Sequence, residues 1–470
     1  MRILYIGAGF VGACSAAVAA DSGHRVLVYD IDENKIKMLS SGDRDTIEQC
    51  LFEKGLGDMI VRNKENITFT GDYEKVIKYL DEVEAIFMCL PTPEKKDSEG
   101  ESDLSYYYAA AEKLALDLVK RKNNSQENYL VIVNKSTVPI NMVDETQKIM
   151  DKYGVKNYGV VSNPEFLVEG KAIDGSLKPD RIVIGAWNQQ DFEIMRRIYQ
   201  RFYNSPTVKY IEVNPKEAAA GKLLANFLLF TRLVSVYDVV GRVAESFGDI
   251  HFENLRQILT TDERIGKWGF YDSLYAGGSC LIKDAKSLKK QLSETGANTE
   301  QVQRVLSGNA FQRDNFFARA QKEAKFDWQN KKIAILGLAF KRDTNDIRNS
   351  AAIDAVEFLL DKGVEEIRVY DPAAMDIFQK NFDPNKEKRF AKIKYFDNEK
   401  SVLENSQACL ILTDWAKFRS LGEIIKNVCP TPYLIMDGRR MLTDQFEELN
   451  NLGYDVIAVG SPTKKSSQSS

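Results

Sequence analysis

The strongest constraint on folding lies near the N-terminus. The apolar run Ile3–Ile6 passes directly into Gly7-Ala8-Gly9-Phe10-Val11-Gly12, and a second apolar strand, Val26–Tyr29, ends at Asp30. Three glycines at that spacing allow a tight strand-to-helix turn, close approach of a pyrophosphate to the helix N-terminus, and close helix packing. A carboxylate at the end of the second strand is placed to accept from ribose hydroxyls and would repel a 2′-phosphate. The chain is therefore expected to open with a dinucleotide-binding unit that takes NAD rather than NADP. Strand, glycine turn, helix and strand also account for a stretch that superficially imitates a signal peptide, whose apolar core would not want three glycines.

Further apolar strands alternate with helical stretches, at Ala85–Cys89, Tyr129–Val133, Val160–Ser162 and Ile182–Ile184. Such alternation predicts α/β architecture, a doubly wound parallel sheet covered by helices. The texture changes at Asn214-Pro215, an N-cap followed by proline at the first helical position, and one long helix is expected to about residue 245. Alternation resumes at Lys332–Gly337, Ile367–Asp371, Ala408–Leu412 and Tyr433–Met436. At about 150 residues per domain, 470 residues allow roughly three domains. The layout predicts a Rossmann-like NAD-binding domain over 1–212, a helical central domain over 213–325, a second Rossmann-like domain over 326–460, and a disordered polar tail over 461–470. The second block carries Gly337-Leu338-Ala339-Phe340-Lys341, which lacks the full glycine fingerprint. It is expected to bind a different nucleotide or none.

Composition narrows the chemistry. Lys and Arg number 64 against 68 Asp and Glu, a net charge of −4 with the signs interspersed, so there is no basic footprint for nucleic acid or membrane. Two histidines, His24 and His251, argue against a histidine metal site or a histidine-centred triad, and no metal is expected. Six scattered cysteines without a C-x-x-C pair read as a reduced, cytoplasmic protein. The apolar stretch Leu223–Val240 contains Asn226, Arg232 and Asp238 and reads as too polar to span a bilayer.

Three segments carry candidate chemistry. Asn163-Pro164-Glu165-Phe166-Leu167-Val168-Glu169-Gly170 begins with another Asn-Pro helix signal, and one helical turn would put Glu165 and Glu169 on the same face. Lys222 and Asn226 share a face within the apolar long helix, where the lysine either snorkels to solvent or sits in a pocket with a charge partner. Gly277-Gly278-Ser279-Cys280 precedes a helical pattern, so the Cys280 thiolate would be stabilised by the helix N-terminus. Cys280 is the one cysteine with a reactive context, although a structural role fits the local sequence equally well.

Together these segments resemble the UDP-glucose 6-dehydrogenase family. The motifs occur in family order: GAGFVG, CLPTP (89–93), KSTVP (135–139), NPEFLVEG, KLLAN (222–226), ERIG (263–266), GGSCLIKD (277–284), GLAFKRDTNDIR (337–348) and DGRR (437–440). The resemblance implies oxidation of a UDP-sugar C6 alcohol to the carboxylate with two NAD⁺, through a thiohemiacetal and thioester on Cys280. It implies that Asp284 acts through a water as base, that Lys222 and Asn226 stabilise oxyanion charge, and that Glu169 and Thr137 assist with water. It places the UDP-sugar against Glu165, Phe166, Leu167, Lys222, Asn226, Tyr271, Ser273, Gly277, Lys341 and Arg439. It places Arg264 in a partner's active site, implying a homodimer built around the long helix. Cofactor contacts are implied for Gly7, Gly9, Phe10, Val11, Gly12, Asp30, Lys35, Pro91, Thr92, Ser136, Thr137, Glu169, Lys283 and Arg348. The chain departs from the family pattern at Ala219, at Tyr237-Asp238, at Ser273-Leu274-Tyr275-Ala276 before the cysteine turn, and at Leu281. UDP-glucose is the expected substrate, with another UDP-hexose such as a UDP-N-acetylhexosamine as the alternative.

Overall fold

Strands β1 (Arg2–Ile6), β2 (Arg25–Tyr29), β3 (Ile67–Thr70), β4 (Ala85–Met88), β5 (Leu130–Asn134), β6 (Tyr158–Ser162), β7 (Arg181–Gly185) and β8 (Lys209–Val213) form one sheet in a computed structural model. Residues 1–96, 98, 100–121 and 129–466 are described. The strand order is β3-β2-β1-β4-β5-β6-β7-β8, so the chain reverses direction across the sheet between β1 and β4. Crevices at such a switch point, beyond the carboxyl ends of the strands, are where α/β sheets bind ligands. Ile3 and Leu4 on β1 are fully buried, one toward each face, as expected for a strand covered on both sides. The sheet is parallel from β3 to β6, but β6 meets β7 antiparallel at Ser162 and Gly185. The pair β7–β8 therefore runs against the rest, a departure from the wholly parallel expectation.

A second sheet is parallel throughout. It comprises β9 (Lys332–Leu336), β10 (Glu366–Tyr370), β11 (Ile393–Tyr395), β12 (Ala408–Ile411), β13 (Tyr433–Asp437) and β14 (Tyr454–Ala458), in the order β11-β10-β9-β12-β13-β14. The chain divides into two compact units, Met1–Ala225 and Asn226–Ser470, the second holding this sheet together with the helices Phe252–Thr260, Leu281–Glu294 and Glu300–Lys322.

Four strands, β3, β8, β11 and β14, lie outside the sequence expectation, and all four are sheet edges. β3, β8 and β11 are part-exposed and part-polar, so they lack the continuous apolar run that marks a central strand, whereas β14 is buried along its whole length and its run is interrupted in sequence by Asp455. The last of them also corrects the expected disorder over 461–470. Lys464 exchanges both backbone hydrogen bonds with Val456 on β14, and the Ser466 N–H donates to Asp455 Oδ1 at 2.7 Å. Arg319, 2% exposed, donates to the Ser461 carbonyl at 2.8 Å and to Thr463 Oγ1 at 3.1 Å. Residues 461–466 thus cover an otherwise open sheet edge; 467–470 lie outside the described residues.

The Asn-Pro signal at 214–215 begins the helix Pro215–Val234, which continues through a π-helical turn, Ser235–Val240, to Gly241–Ser246. Asn214 Oδ1 accepts from the Glu217 N–H at 2.9 Å, and Glu217 Oε2 accepts from the Asn214 N–H at 3.0 Å, a reciprocal capping box. By length and a mean hydropathy of 1.6 this run could cross a membrane. Its charges, however, are engaged within the protein. Lys222 pairs with Glu165, Arg232 donates to the Trp268 and Gly266 carbonyls, and Asp238 pairs with Arg242.

The glycines of the first turn do separate jobs. An alanine Cβ at Gly12 would lie 2.0 Å from the Gly7 carbonyl, whereas one at Gly9 meets nothing within 4 Å. G12A is therefore expected to lose about 1–3 kcal/mol of stability together with dinucleotide binding. G9A is expected to keep its melting temperature and lose only binding. Thermal melts paired with NAD titration calorimetry check both.

Candidate active site

The first-unit turn is braced through its backbone. Gly7 has φ +103°, and a Cβ there would lie 2.2 Å from the Cys89 carbonyl, so only glycine fits. Asp30 Oδ2 accepts from the Ala8 N–H at 2.7 Å and from Lys35 Nζ at 3.1 Å. Phe10 and Val11 begin the following helix, Phe10–Asp21. Space is open above Gly9, the cradle a pyrophosphate needs, so these residues fit a dinucleotide. Beside the turn, Thr92 Oγ1 donates to the Thr137 carbonyl at 2.8 Å and Ser136 Oγ to the Leu90 carbonyl at 2.7 Å. These bonds tie the loops that follow β4 and β5, with Pro91 exposed beside them.

The second glycine turn, although built alike, differs at its acid. Asp371 is 1% exposed. Its Oδ2 accepts from Leu338 N, Ala339 N and Trp415 Nε1, and its Oδ1 from Ala373 N and Ala374 N. No acceptor capacity remains for a ribose, so this turn does not repeat the dinucleotide arrangement.

The segment 163–168 has no regular secondary structure, without the helical turn expected from Asn163-Pro164. The reason lies in Asn163, whose side chain is committed elsewhere. Its Oδ1 accepts from Lys135 Nζ at 3.1 Å and the Tyr199 hydroxyl at 2.6 Å, while its Nδ2 donates to the Val183 carbonyl at 2.9 Å. It therefore cannot cap a helix, and Glu165 and Glu169 do not share a helical face. Glu165 instead turns to Lys222, whose Nζ lies 3.3 Å from Glu165 Oε1 with both side chains at least nine-tenths buried. Of the two expectations for Lys222, the pocket with a charge partner is the one found. Phe166 lies beneath this pair, its ring 5.3 Å from Lys222 Nζ and 3.8 Å from the Arg181 guanidinium. A cavity of about 550 Å³ opens beside Glu165, Phe166 and Leu167, with Lys135 in its wall.

Lys135, Asn163 and Tyr199 were not among the residues expected to act. Lys135 is 7% exposed, and its cation is met by two neutral oxygens. The available signal is a lysine that follows the fully buried strand Leu130–Asn134, a position where burial demands partners.

In the second unit, Cys280 is the N-cap of the helix Leu281–Glu294 and follows Gly278 at φ +83°. It is the exposed cysteine, with Ser279 Oγ 3.6 Å from its sulfur. One turn on, Asp284 is 1% exposed and accepts from Asn226 Nδ2 and Lys283 Nζ, each at 2.6 Å. A nucleophile, a carboxylate and a donor amide are thus ordered around one helix end. Arg439 donates to the Leu412 and Phe340 carbonyls, at 2.9 Å and 2.6 Å, and to Ser273 Oγ at 3.0 Å. This guanidinium organises its surroundings as well as offering charge. Lys341 Nζ stands 5.3 Å from the Phe340 ring. Gly277 is required, since a Cβ there would lie 2.5 Å from the Asn349 carbonyl. Tyr271 is exposed; Arg348 pairs with Asp346, and Arg264, 89% exposed, pairs with Asp262. Of the expected cofactor contacts, Lys283 and Arg348 lie in the second unit and the others in the first.

Burial separates the remaining thiols from Cys280. It pushes Cys89 up to about 12 and Cys50 and Cys429 to about 11, and holds Cys14 and Cys409 well above the ordinary range.

Residues 1–203 match the family profile described as UDP-glucose/GDP-mannose dehydrogenase family, NAD binding domain. Residues 216–310 match the central domain of that family, and residues 334–444 its UDP binding domain. UDP-glucose 6-dehydrogenase TuaD of Bacillus subtilis (strain 168) is 30% identical, the alignment covering 100% of this chain and 95% of the relative. The UDP-glucose 6-dehydrogenase of Rickettsia bellii (strain RML369-C) is 31% identical, covering 98% and 100%. A solved UDP-glucose dehydrogenase from the hyperthermophilic archaeon Pyrobaculum islandicum shares the fold, with a TM-score of 0.83 at 24% identity and 98% of each chain covered.

Thiol reactivity follows from the exposure and the shifts. Near pH 8, iodoacetamide is expected to label Cys280 at least about tenfold faster than any other cysteine, because the five others are held mostly as thiols. Peptide mapping of a time course reads this, and equal labelling of Cys50 would contradict it.

Proposed function

The chain belongs to the UDP-glucose/GDP-mannose dehydrogenase family, and we propose that it oxidises UDP-glucose to UDP-glucuronate with two NAD⁺, through a covalent thioester on Cys280. The observation that carries this reading is the order around one helix end: exposed Cys280 at the N-cap, and buried Asp284 one turn on, held by Asn226.

The dinucleotide is held by the Gly7–Gly12 turn, including Phe10 and Val11, by Asp30 and Lys35, and by the Pro91, Thr92, Ser136 and Thr137 loops, with Glu169, Lys283 and Arg348 as further contacts. When bound, NAD⁺ supplies the hydride acceptor for both oxidations. Asp284, acting through a water, takes the alcohol proton as the first hydride leaves C6. Cys280 then adds its sulfur to the aldehyde carbon, and the carbonyl electron pair moves onto oxygen, where Lys222 and Asn226 stabilise the charge. Loss of the second hydride leaves a thioester. Water adds to that carbonyl and the C–S bond breaks, releasing the carboxylate and returning the thiol; Glu169 and Thr137 orient this water. Glu165 sets the position of Lys222 and, with Phe166 and Leu167, faces the sugar. Lys341, Arg439, Tyr271, Ser273 and Gly277 hold the UDP-sugar. Ser273–Ala276 alone favours a second reading, the same chemistry on a UDP-N-acetylhexosamine.

We also propose that the division by task is 1–212, 213–325 and 326–460; the three family matches support it. A cytoplasmic location fits six cysteines that all stand as free thiols. A homodimer is supported by exposed apolar side chains along the long helix and at its end: Leu228 and Val239 are 66% and 59% exposed, and Phe247, its C-cap, 60%. Exposed apolar patches of this kind mark association surfaces. The 89% exposed Arg264 is then available to a second copy.

Two measurements test these readings. Purified protein is expected to form two NADH per UDP-glucuronate, and C280S to form no free acid; one NADH with a stable aldehyde would refute the thioester. L228E with V239E is expected to convert a dimer to a monomer by light scattering, and a monomeric wild type would refute the interface.

A further inference from the structure

The segment Ser273-Leu274-Tyr275-Ala276, where the chain departs from its family, is anchored at each end of its length. Leu274 and Tyr275 are 2% and 6% exposed, in the core beneath the second sheet. Tyr275 donates its hydroxyl to Asp354 Oδ2 at 2.5 Å and lies 3.2 Å from the Asn349 carbonyl. Arg313 Nη1 donates to the other oxygen, Asp354 Oδ1, at 3.1 Å. Both backbone groups of Ala276 are taken by one buried amide: Asn309 Oδ1 accepts from its N–H at 2.9 Å, and Asn309 Nδ2 donates to its carbonyl at 3.0 Å. Asn349 Nδ2 donates to the Gly278 carbonyl at 3.0 Å, and a Cβ at Gly278 would lie 2.9 Å from the Phe340 ring.

The two glycines that follow have no side chains with which to fix their own conformation, and glycine visits many backbone states. Their placement, and that of Cys280 beyond them, is inherited from these anchors. Burial also pushes the Tyr275 phenol well above its usual range, so it remains a donor. A hydrogen bond from a phenol to a carboxylate, here the partly buried Asp354, is stronger than a neutral pair. Removal of the hydroxyl leaves Asp354 short of a partner and frees the turn.

We propose that Tyr275 and Asp354 are positioning residues that hold the Cys280 turn in register, and so decide whether the aldehyde is captured or escapes. The inference rests on the thiol mechanism proposed above. The first hydride transfer needs no sulfur, whereas capture requires the thiol aligned on the carbonyl carbon, and a displacement of about 1 Å is enough to slow such a step about 100-fold. Loosening the latch therefore acts mainly after the first oxidation, and weakens UDP-sugar binding through Ser273 and Gly277 far less than it slows acid formation.

Y275F and D354N separate these possibilities when NADH, UDP-glucuronate and hydrazine-trapped aldehyde are counted together. For both variants, acid formation is expected to fall about tenfold, the loss of one charge-assisted hydrogen bond. KM for UDP-glucose is expected to stay within about twofold. NADH per acid rises above the wild-type ratio of two, and trapped aldehyde accounts for the excess. The rate of Cys280 alkylation, read on the same variants, shifts with the turn. A ratio of two with wild-type alkylation in either folded variant overturns the proposal. A parallel C280S arm keeps the two readings distinct: acid made by C280S would sink the thiol mechanism, while the alkylation rates would still report directly on the latch. Melting temperatures identify a variant that fails to fold, and the other variant then decides.

Discussion

In each of the two sheets, a carboxylate at the end of the second strand holds the glycine turn after the first. Asp30 accepts from the Ala8 N–H and Asp371 from the Leu338 N–H, both at 2.7 Å. Backbone bonds from Gly7 to Tyr29 and from Gly337 to Tyr370 repeat the same pairing. A glycine turn has no side chains of its own to hold it, so the loop geometry depends on such acceptors. One topology then serves two ends. The Asp30 side chain keeps 11% exposure and a Lys35 partner, and remains available beside an open cradle. Asp371 spends both oxygens on five protein donors and becomes part of the framework.

Buried charge separates function from support. Lys222 and Glu165 form an ion pair with both members at least nine-tenths buried. Desolvating such a pair costs several kcal/mol, about as much as its attraction returns, so stability alone gives little reason to keep it. Its place in an apolar helix next to a cavity makes sense if the cation serves a developing negative charge. Arg319 is equally buried, but its neighbours give it a different task. It meets Glu245 at 3.1 Å and donates to the carbonyls of Ala458 and Ser461, stitching the C-terminal segment to the edge of the second sheet.

The central strands, the first glycine turn, the Asn214 cap and the setting of Cys280 were legible in the sequence because each depends on local spacing. What escaped depends on long-range partners. Asn163-Pro164 and Asn214-Pro215 read identically, yet only Asn214 caps a helix; Asn163 gives its side chain to Lys135, Tyr199 and Val183. No local pattern distinguishes them, because the difference lies in residues distant along the chain. Lys222 shows the same limit: its helix position alone favours snorkelling, and only Glu165, brought to it from elsewhere in the chain, makes it a buried pair. The polar composition of 461–466 reads as disorder, but an exposed sheet edge supplies a template that composition alone does not reveal.

The scarcity of histidine also gains a physical meaning. His24 is 8% exposed with Nε2 2.9 Å from the Ile198 carbonyl, and burial lowers its affinity for a proton. It sits in the framework of the first unit and is poorly suited to proton transfer. In the mechanism proposed above, carboxylates, a lysine and a thiol do the work, and a thiol reacts as its anion. In a chain with six cysteines, selectivity requires that five be kept as thiols while one is offered to solvent at a helix N-terminus. Burial of Cys14, Cys50, Cys89, Cys409 and Cys429 achieves the first condition, and the Gly277–Gly278 turn the second. Core packing that looks unrelated to the chemistry therefore sets which sulfur can take part in it.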